Sequence, residues 1–222
     1  MKERVALVVG ATGLVGKALL DLLIQSPEHK KVVVLARRPG PALPAKIEWR
    51  VVDFEQADAY QGLEGIDEVY CCLGTTIKQA GSQEAFRKVD HQYPLALAKA
   101  ARAAAVPTLV VVTAMGADPG SAIFYNRVKG ELERELSSLG FPRLVIARPS
   151  LLVGEREVAR SGEGIASVAM GLFGPLMRGP LAKYRAIAGT TVAAALLRLA
   201  KEAGAGNTIV FSDRLQALGA PP

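Results

Sequence analysis

Short apolar runs rich in valine, isoleucine and leucine alternate with longer segments of helical periodicity along most of the chain. Near-continuous apolar runs are typical of parallel strands that are covered on both faces. Strands are predicted at Arg4–Val9, Lys31–Ala36, Ile47–Val52, Glu68–Leu73, Thr108–Thr113, Arg143–Ala147 and Thr208–Phe211. Helices are predicted at Leu14–Gln25, Arg87–Ala104, Ala122–Leu139 and Thr191–Glu202. This alternation predicts an α/β fold with a doubly wound parallel sheet.

The chain length of 222 residues suits one domain with a small appendage. We therefore expect a single domain over residues 1–222. Residues 151–188 fit the alternation poorly and are predicted to form a small substrate or lid region. The apolar stretch from Gly164 to Met177 within it is broken by glycine and proline. It is well short of the about 20 residues that span a bilayer, so no integral membrane segment is expected.

Cysteine and histidine usage indicates a reducing compartment and no metal. The two cysteines, Cys71 and Cys72, are adjacent and cannot form a disulfide framework. Together with two histidines they are too few for a usual zinc site. No segment near the N-terminus has the pattern of a secretory signal. These features predict a soluble cytoplasmic protein.

The net charge of +6 permits an anionic ligand without naming one. No acid occurs between Glu163 and Glu202, where the bases are Arg178, Lys183, Arg185, Arg198 and Lys201. This stretch is either a domain face that lacks acids or a surface for an anionic substrate or partner. With only 5% aromatic residues, few aromatic side chains accompany the bases, so nucleic-acid binding is not expected.

A glycine-rich turn joins the first predicted strand to the first predicted helix. Glycines at this spacing allow a tight turn, close approach of the backbone to a pyrophosphate, and close packing of helix on strand. The positive end of the helix then faces the phosphates. The sequence therefore predicts a dinucleotide site formed by Gly10, Thr12, Gly13, Leu14, Val15 and Gly16.

The end of the second predicted strand favours one dinucleotide over the other. An NAD site usually has an acid there for the ribose 2′-hydroxyl, whereas this strand ends in Arg37-Arg38. Because a guanidinium suits a 2′-phosphate, NADP(H) is preferred over NAD(H). Asp53-Phe54 follows the third strand, where Asp53 could either accept from the adenine amino group or cap the next segment.

Tyr125 and Lys129 lie four residues apart and therefore on one face of a helix. Reduction of a carbonyl by hydride needs an acid that protonates the oxygen, and a nearby cation favours the tyrosine anion. Thr113, at the end of the fifth strand, could hold the carbonyl from the other side. Asp90-His91 suggests a proton relay, although an exposed helical histidine is the simpler interpretation.

These features together resemble the short-chain dehydrogenase/reductase superfamily, in its atypical or extended branch. More narrowly, five segments resemble the Tat-interactive-protein-like group of that branch. They are Cys71–Thr76, Ala85–Asp90, Met115–Asp118, Tyr125–Glu131 and Arg148–Arg156. The resemblance covers residues 4 to 212.

The resemblance implies an NADP(H)-binding Rossmann fold with a Ser-Tyr-Lys active site. Tyr125 would be the proton donor, and Lys129 would bind the nicotinamide ribose and favour the tyrosine anion. Thr113 would replace the serine, because the family pattern Ser-Ser-Met-Gly reads Thr113-Ala114-Met115-Gly116 here. The cofactor would also be lined by Leu73, Gly74 and Thr75, and its nicotinamide flanked by Arg148, Pro149, Ser150 and Leu151.

The sequence favours an NADP(H)-dependent reductase of a small-molecule carbonyl substrate, active as a monomer or homodimer. A catalytically weak NADP(H)-binding sensor is a second hypothesis, because Ala114 has no hydroxyl. A nucleotide-sugar epimerase or dehydratase is a third, although such enzymes usually have a longer C-terminal region.

Overall fold

The predicted parallel sheet forms the centre of a computed structural model that describes residues 3–154, 184–202 and 204–220. Its strands are β1 (Arg4–Val9), β2 (His29–Ala36), β3 (Ile47–Val51), β4 (Glu68–Cys71), β5 (Thr108–Val112), β6 (Arg143–Arg148), β7 (Leu152–Val153), β8 (Ile187–Ala188) and β9 (Gly206–Phe211). Within the described residues, seven strands pair in the order β3-β2-β1-β4-β5-β6-β9, and β7 pairs with β8. All of these pairs are parallel. The doubly wound fold is therefore confirmed.

Helices cover both faces of the sheet. They are α1 (Leu14–Gln25), α2 (Ile77–Ala80), α3 (Gln83–Arg87), α4 (Tyr93–Ala103), α5 (Phe124–Ser138), α6 (Gly189–Lys201) and α7 (Ser212–Gly219). A short 3-10 helix spans Ala57–Tyr60, and a π-helical turn at Lys88–Gln92 joins α3 to α4. The predicted helix Arg87–Ala104 therefore begins earlier than expected, and a wider turn interrupts it.

Alternate residues of each central strand enter two separate cores, because successive side chains of a strand point to opposite faces. Ala6 and Val8 of β1 pack with α1 and α6, where Leu19 and Leu196 are fully buried. Leu7 and Val9 pack with α4 and α5 on the other face. The near-continuous apolar runs of the sequence arise from this double coverage.

The predicted substrate or lid region is described only at its two ends. Residues 155–183, which include the apolar stretch from Gly164 to Met177, lie outside the described residues. The ends at 151–154 and 184–188 are joined by β7 and β8, and Gly154 and Gly189 both lie against the side chain of Leu14. The described ends of this region therefore lie at the start of α1.

Two bases of the acid-free stretch have structural partners. Arg198 donates to the carbonyl oxygens of Leu218 and Ala220 at the end of α7. The Lys201 ammonium pairs with the Glu28 carboxylate at 2.8 Å. These contacts favour the interpretation that Arg198 and Lys201 belong to an ordinary domain face. Arg178 and Lys183 lie outside the described residues.

Helix α5 lies unusually close to the loop that precedes it. A Cβ atom at Gly130 would overlap the Asp118 carbonyl carbon and the Pro119 nitrogen, and would lie 2.6 Å from the Asp118 Cα. The obstacle is backbone, which cannot rotate away as a flexible side chain could. Gly130 therefore sets how closely α5 packs against this loop.

We expect Gly130→Ala to lower the free energy of unfolding by about 1–3 kcal/mol, because the overlap forces a backbone shift. Urea unfolding followed by circular dichroism measures the change. Gly120→Ala is the control, since a Cβ there would meet only the Asp118 Oδ1 at 3.5 Å. Equal stabilities of the two variants would contradict the packing argument.

Candidate active site and cofactor site

The candidate site lies at the carboxyl edge of the sheet, between the loops that follow β1 and β4. These two strands are neighbours at the centre of the sheet, and the strand order reverses between them. In open α/β sheets, ligands bind in the crevice at such a reversal. The two loops touch, because Gly10, with φ +84°, lies so close to Cys72 that a Cβ would be 2.5 Å from the Cys72 carbonyl oxygen.

The turn from Gly10 to Gly16 suits the phosphates of a dinucleotide. Helix α1 begins with Gly13 as its N-cap, and no side chain caps the first turn. Its first amide groups are therefore open to an anion at the positive end of the helix. A Cβ at Gly16 would lie 2.8 Å from the Gly10 carbonyl carbon, so glycine is required for this compact turn.

The predicted phosphate-binding residues lie along this turn in different environments. Thr12 and Gly13 are exposed and Leu14 is half-buried, whereas Val15 and Gly16 are buried beneath the turn. Thr12 and Gly13 are exposed just before α1, while Val15, in its first turn, packs in the core. The residues present fit a pyrophosphate held by main-chain amides.

Arg37 and Arg38 are exposed at the carboxyl end of β2, and neither forms an ion pair with any described residue. Burial raises the pKa of Tyr93 at the start of α4, and the positive charge of Arg37 opposes that rise. The backbone of Arg38 is fixed, because its carbonyl oxygen accepts from Trp49 Nε1 at 2.9 Å. Both guanidinium groups therefore remain available to an anionic ligand at this edge.

Asp53 and Phe54 both have intramolecular roles. Asp53 Oδ1 accepts from the backbone amide of Glu55 at 3.0 Å, which closes a turn two residues long, while the 3-10 helix that follows has Gln56 as its N-cap. The Phe54 ring is buried and stacks on Tyr93, with ring centroids 5.7 Å apart. The aromatic side chain belongs to the core, so a contact of this segment with adenine would come from Asp53 or the backbone.

The loop after β4 connects the cofactor crevice to helix α5. Thr75 donates its backbone N–H to Asp90 Oδ2 at 2.9 Å. A Cβ on Gly74 would lie 3.6 Å from Asp90 Oδ1 and 3.9 Å from Lys129 Nζ, so this loop lies directly beside both groups. Leu73 is half-buried before it. The thiol of Cys71, at the end of β4, is fully buried, and burial raises its pKa to about 11.

Tyr125 and Lys129 lie on one face of α5, as their spacing predicts. The Tyr125 ring packs against Phe86 with ring centroids 5.4 Å apart. The Lys129 ammonium is 2.8 Å from Asp90 Oδ1, and both side chains are buried. Burial alone would lower the pKa of Lys129, but the Asp90 carboxylate and the Tyr125 phenol outweigh it and raise that pKa. Lys129 is therefore a charged ammonium beside the phenol.

Thr113 is buried at the end of β5, and its hydroxyl faces Glu133. Thr113 Oγ1 donates to Glu133 Oε1 at 2.6 Å. The single N–H of Arg148 Nε is shared between Glu133 Oε2 and Oε1 at 3.0 and 3.1 Å, and Arg148 Nη2 also donates to Oε2. Arg148, predicted to flank the nicotinamide, is thus turned toward α5 and lies over the Phe211 ring. In this arrangement the Thr113 hydroxyl donates its proton to the Glu133 carboxylate and is not directed at a substrate.

Pro149, Ser150 and Leu151 hold the chain beyond β6 in place. The carbonyl oxygens of Pro149 and Leu151 accept from the amides of Met115 and Ile187, each at 2.9 Å. The Ser150 hydroxyl lies 2.9 Å from that of Ser212 and donates to the Arg185 carbonyl oxygen. These bonds fix the strand that leaves the site toward β7.

The expectation of an exposed His91 is wrong. His91 is buried and its Nε2 lies 3.0 Å from Glu135 Oε1, while Asp90 is bound to Lys129 instead of forming a relay with His91. Sequence reasoning also missed Glu133 as a partner in the site. Its position was available from the spacing, since Glu133 follows Lys129 by four residues on the same face of α5.

Fold and site together define a dinucleotide-binding Rossmann protein. Residues 10–138 match the family model described as NAD(P)H-binding, and the chain belongs to that family.

Relatives support the narrower resemblance as well. The chain is 33% identical over 218 residues to rat protein HTATIP2, covering 96% of this chain and 88% of the relative. It is 40% identical over 189 residues to FMP52 of Eremothecium gossypii, covering 84% of this chain and 82% of the relative. The resemblance to the Tat-interactive-protein-like group is thereby confirmed.

Among solved structures, a UDP-glucose 4-epimerase from Thermotoga maritima, determined with UDP-glucose, superposes with a TM-score of 0.70. The superposition covers 97% of this chain and 81% of the epimerase at 16% sequence identity. At that identity the likeness shows the fold alone and nothing of the substrate.

The prediction of a cytoplasmic protein is contradicted by the relatives. FMP52 of Eremothecium gossypii and of Debaryomyces hansenii are both named as mitochondrial proteins. Free cysteines indicate a reducing environment and nothing finer, which is why the inference from them failed. Separately, none of the helices among residues 3–154, 184–202 and 204–220 is long and apolar enough to cross a membrane.

We expect Thr113→Val to lower the free energy of unfolding by about 1–3 kcal/mol, because the buried Glu133 carboxylate loses a hydrogen-bond donor. Thr113→Ser keeps the hydroxyl and is the matched control. Chemical unfolding of the three proteins measures the difference. If the valine variant were as stable as the serine variant, the Thr113–Glu133 hydrogen bond would not contribute to stability.

Proposed function

We propose that the protein is an NADP(H)-dependent oxidoreductase that reduces a small carbonyl compound. The observation that carries this proposal is the state of the three predicted catalytic side chains. Thr113 and Lys129 are each engaged by a carboxylate, whereas the half-buried Tyr125 hydroxyl has no hydrogen-bond partner among the described residues. The phenol beside the charged Lys129 is therefore the group left to meet a substrate oxygen.

The reduced nicotinamide, when bound, supplies a hydride to the carbonyl carbon. Tyr125 Oη donates its proton to the carbonyl oxygen, where negative charge would otherwise develop. The Lys129 ammonium stabilises the phenolate that remains. Thr113 would contact the carbonyl oxygen only if its hydroxyl turned away from Glu133. Tyr125 is therefore the main group that positions the substrate oxygen.

Cofactor binding is assigned to the carboxyl edge of the sheet. The turn Gly10–Gly16 would hold the pyrophosphate through main-chain amides, and the loop at Leu73–Thr75 would lie beside the nicotinamide ribose with Lys129. Arg37 and Arg38 support a preference for NADP(H), because two exposed guanidinium groups can form charge-assisted hydrogen bonds with a 2′-phosphate.

We expect Tyr125→Phe to reduce turnover by about 10²–10⁴-fold, because it removes the proton donor while the ring still packs on Phe86. The assay follows NADPH oxidation with a panel of aldehydes, ketones and quinones. NADPH affinity, measured by fluorescence, should stay within about twofold of the unmodified protein.

The same assay separates the two other functions considered. A cofactor sensor would bind NADPH without oxidising it in the presence of any substrate of the panel, and Tyr125→Phe would change nothing. A nucleotide-sugar epimerase would interconvert UDP-sugars with no net change in NADPH. Either result would replace the reductase proposal.

The double variant Arg37→Ala/Arg38→Ala should weaken NADPH binding by about tenfold or more and leave NADH binding unchanged. NADPH binding weakens because the double variant can no longer form charge-assisted hydrogen bonds with the 2′-phosphate. Isothermal titration with both cofactors measures the two affinities. Lys30→Ala is the control, since Lys30 is an exposed base at the opposite end of β2. Equal losses for both cofactors would contradict the assignment.

A further inference from the structure

Four side chains of the segment before α4 contact α5 at the same four-residue spacing. Phe86 packs on Tyr125, and four residues later Asp90 binds Lys129, which itself follows Tyr125 by four residues. A second pair of contacts repeats this spacing, since Arg87 binds Glu131 and His91 binds Glu135. The segment from Phe86 to His91 therefore lies alongside α5 in a fixed register, and Asp90 is its only contact with the Lys129 ammonium among the described residues.

Asp90 uses both of its carboxylate oxygens. Oδ1 lies 2.8 Å from the Lys129 ammonium, and Oδ2 accepts from the Thr75 amide at 2.9 Å. One carboxylate therefore joins the π-helical turn, the loop after β4 and helix α5. π-Helical turns are rare and are frequently found at functional sites.

Because Lys129 and Asp90 are buried, the protonation state of Lys129 depends on the Asp90 carboxylate. The side chain of Lys129 is 3% exposed and that of Asp90 is 0% exposed. An ammonium without water or a counter-charge loses its proton readily, because burial disfavours the charged form. The other titratable groups that face Lys129 are the Tyr125 phenol, one turn earlier in α5, and the Cys71 thiol at the end of β4. Burial raises the pKa of the Cys71 thiol to about 11, so the Asp90 carboxylate is the counter-charge that lies against the Lys129 ammonium.

The geometry points to Asp90 as a positioning residue of the active site, which keeps the Lys129 side chain protonated and directed at the Tyr125–cofactor crevice. The inference rests on the proposed function and adds a residue to it. When Tyr125 Oη transfers its proton to the substrate oxygen, the phenolate needs a cation beside it. Asp90 ensures that this cation is present, through its ion pair with the Lys129 ammonium.

Asp90→Asn removes the charge and keeps the size of the side chain. We expect the titration midpoint of the Lys129 ammonium to fall by about one to three pH units, because burial remains while the counter-charge is lost. NMR of protein carrying ¹³C at lysine Cε measures this midpoint, and Lys129→Arg identifies the signal. In the unmodified protein the midpoint should lie above that of an exposed lysine.

Glu135→Gln is the matched control, since it removes a carboxylate from the same helix pair but contacts His91. It should leave the Lys129 midpoint unchanged. With a carbonyl substrate, the alkaline limb of the kcat profile should move to lower pH in Asp90→Asn and stay in place in Asp90→Glu and Glu135→Gln. A purely structural role for Asp90 would lower the stability of the protein without moving this limb.

An unchanged Lys129 midpoint in Asp90→Asn would overturn the inference. If that variant does not fold, the unmodified protein still tests the inference. A Lys129 titration midpoint below that of an exposed lysine would also overturn the inference. The NMR measurement needs no turnover. Failure of every carbonyl substrate would therefore refute the proposed reductase while the role of Asp90 is judged separately.

Discussion

The buried ion pair between Lys129 and Asp90 is the interaction on which the arrangement of the candidate site depends. An ammonium that water cannot reach needs a charged partner, so α5 can carry a buried lysine at this position only if the turn at Lys88–Gln92 lies alongside it. The same carboxylate accepts from Thr75, which fixes the loop after β4. Helix, turn and loop are thus held together at the edge of the sheet where the dinucleotide would bind.

Close backbone approach is the second constraint, and glycine supplies it at two places. Gly10 lets the turn after β1 rest on the Cys72 carbonyl, and Gly130 lets α5 rest on the loop at Asp118–Pro119. The first contact places the phosphate-binding turn beside the loop after β4, and the second sets the distance of α5 from the end of β5. The glycine-rich turn and α5 approach the same edge of the sheet because Gly10 and Gly130 leave no Cβ between them and the neighbouring backbone.

The strands and the Tyr125/Lys129 pair could be predicted from local sequence patterns. Apolar runs indicate buried strands and an i,i+4 spacing indicates a shared helix face, and both are visible within a few neighbouring residues. The seven strands of the main sheet agree with their predicted bounds to within two residues, whereas the short strands β7 and β8 were not predicted. The surroundings of Asp90 and His91 could not be predicted in this way. A regular helix was assumed over Arg87–Ala104, whereas the π-helical turn changes which side chains face α5. The pairing of Asp90 with Lys129 also joins positions 39 residues apart, which no local pattern records.

Glu133 and Asp90 balance the positive charges beside α5, and this leaves Tyr125 as the residue of that face without an ion-pair partner in the described part of the chain. Asp90 neutralises Lys129, and Glu133 neutralises Arg148 while it accepts from Thr113. Every buried charge in this group therefore has an opposite partner, as burial in a medium of low polarity requires. The half-buried Tyr125 hydroxyl, at the start of the stripe Tyr125–Lys129–Glu133, is the one group of the three without a hydrogen-bond partner among the described residues. If the proposed reduction is the reaction, a site arranged in this way would receive a neutral carbonyl compound without burying an uncompensated charge, and Tyr125 would be the proton donor to the new hydroxyl.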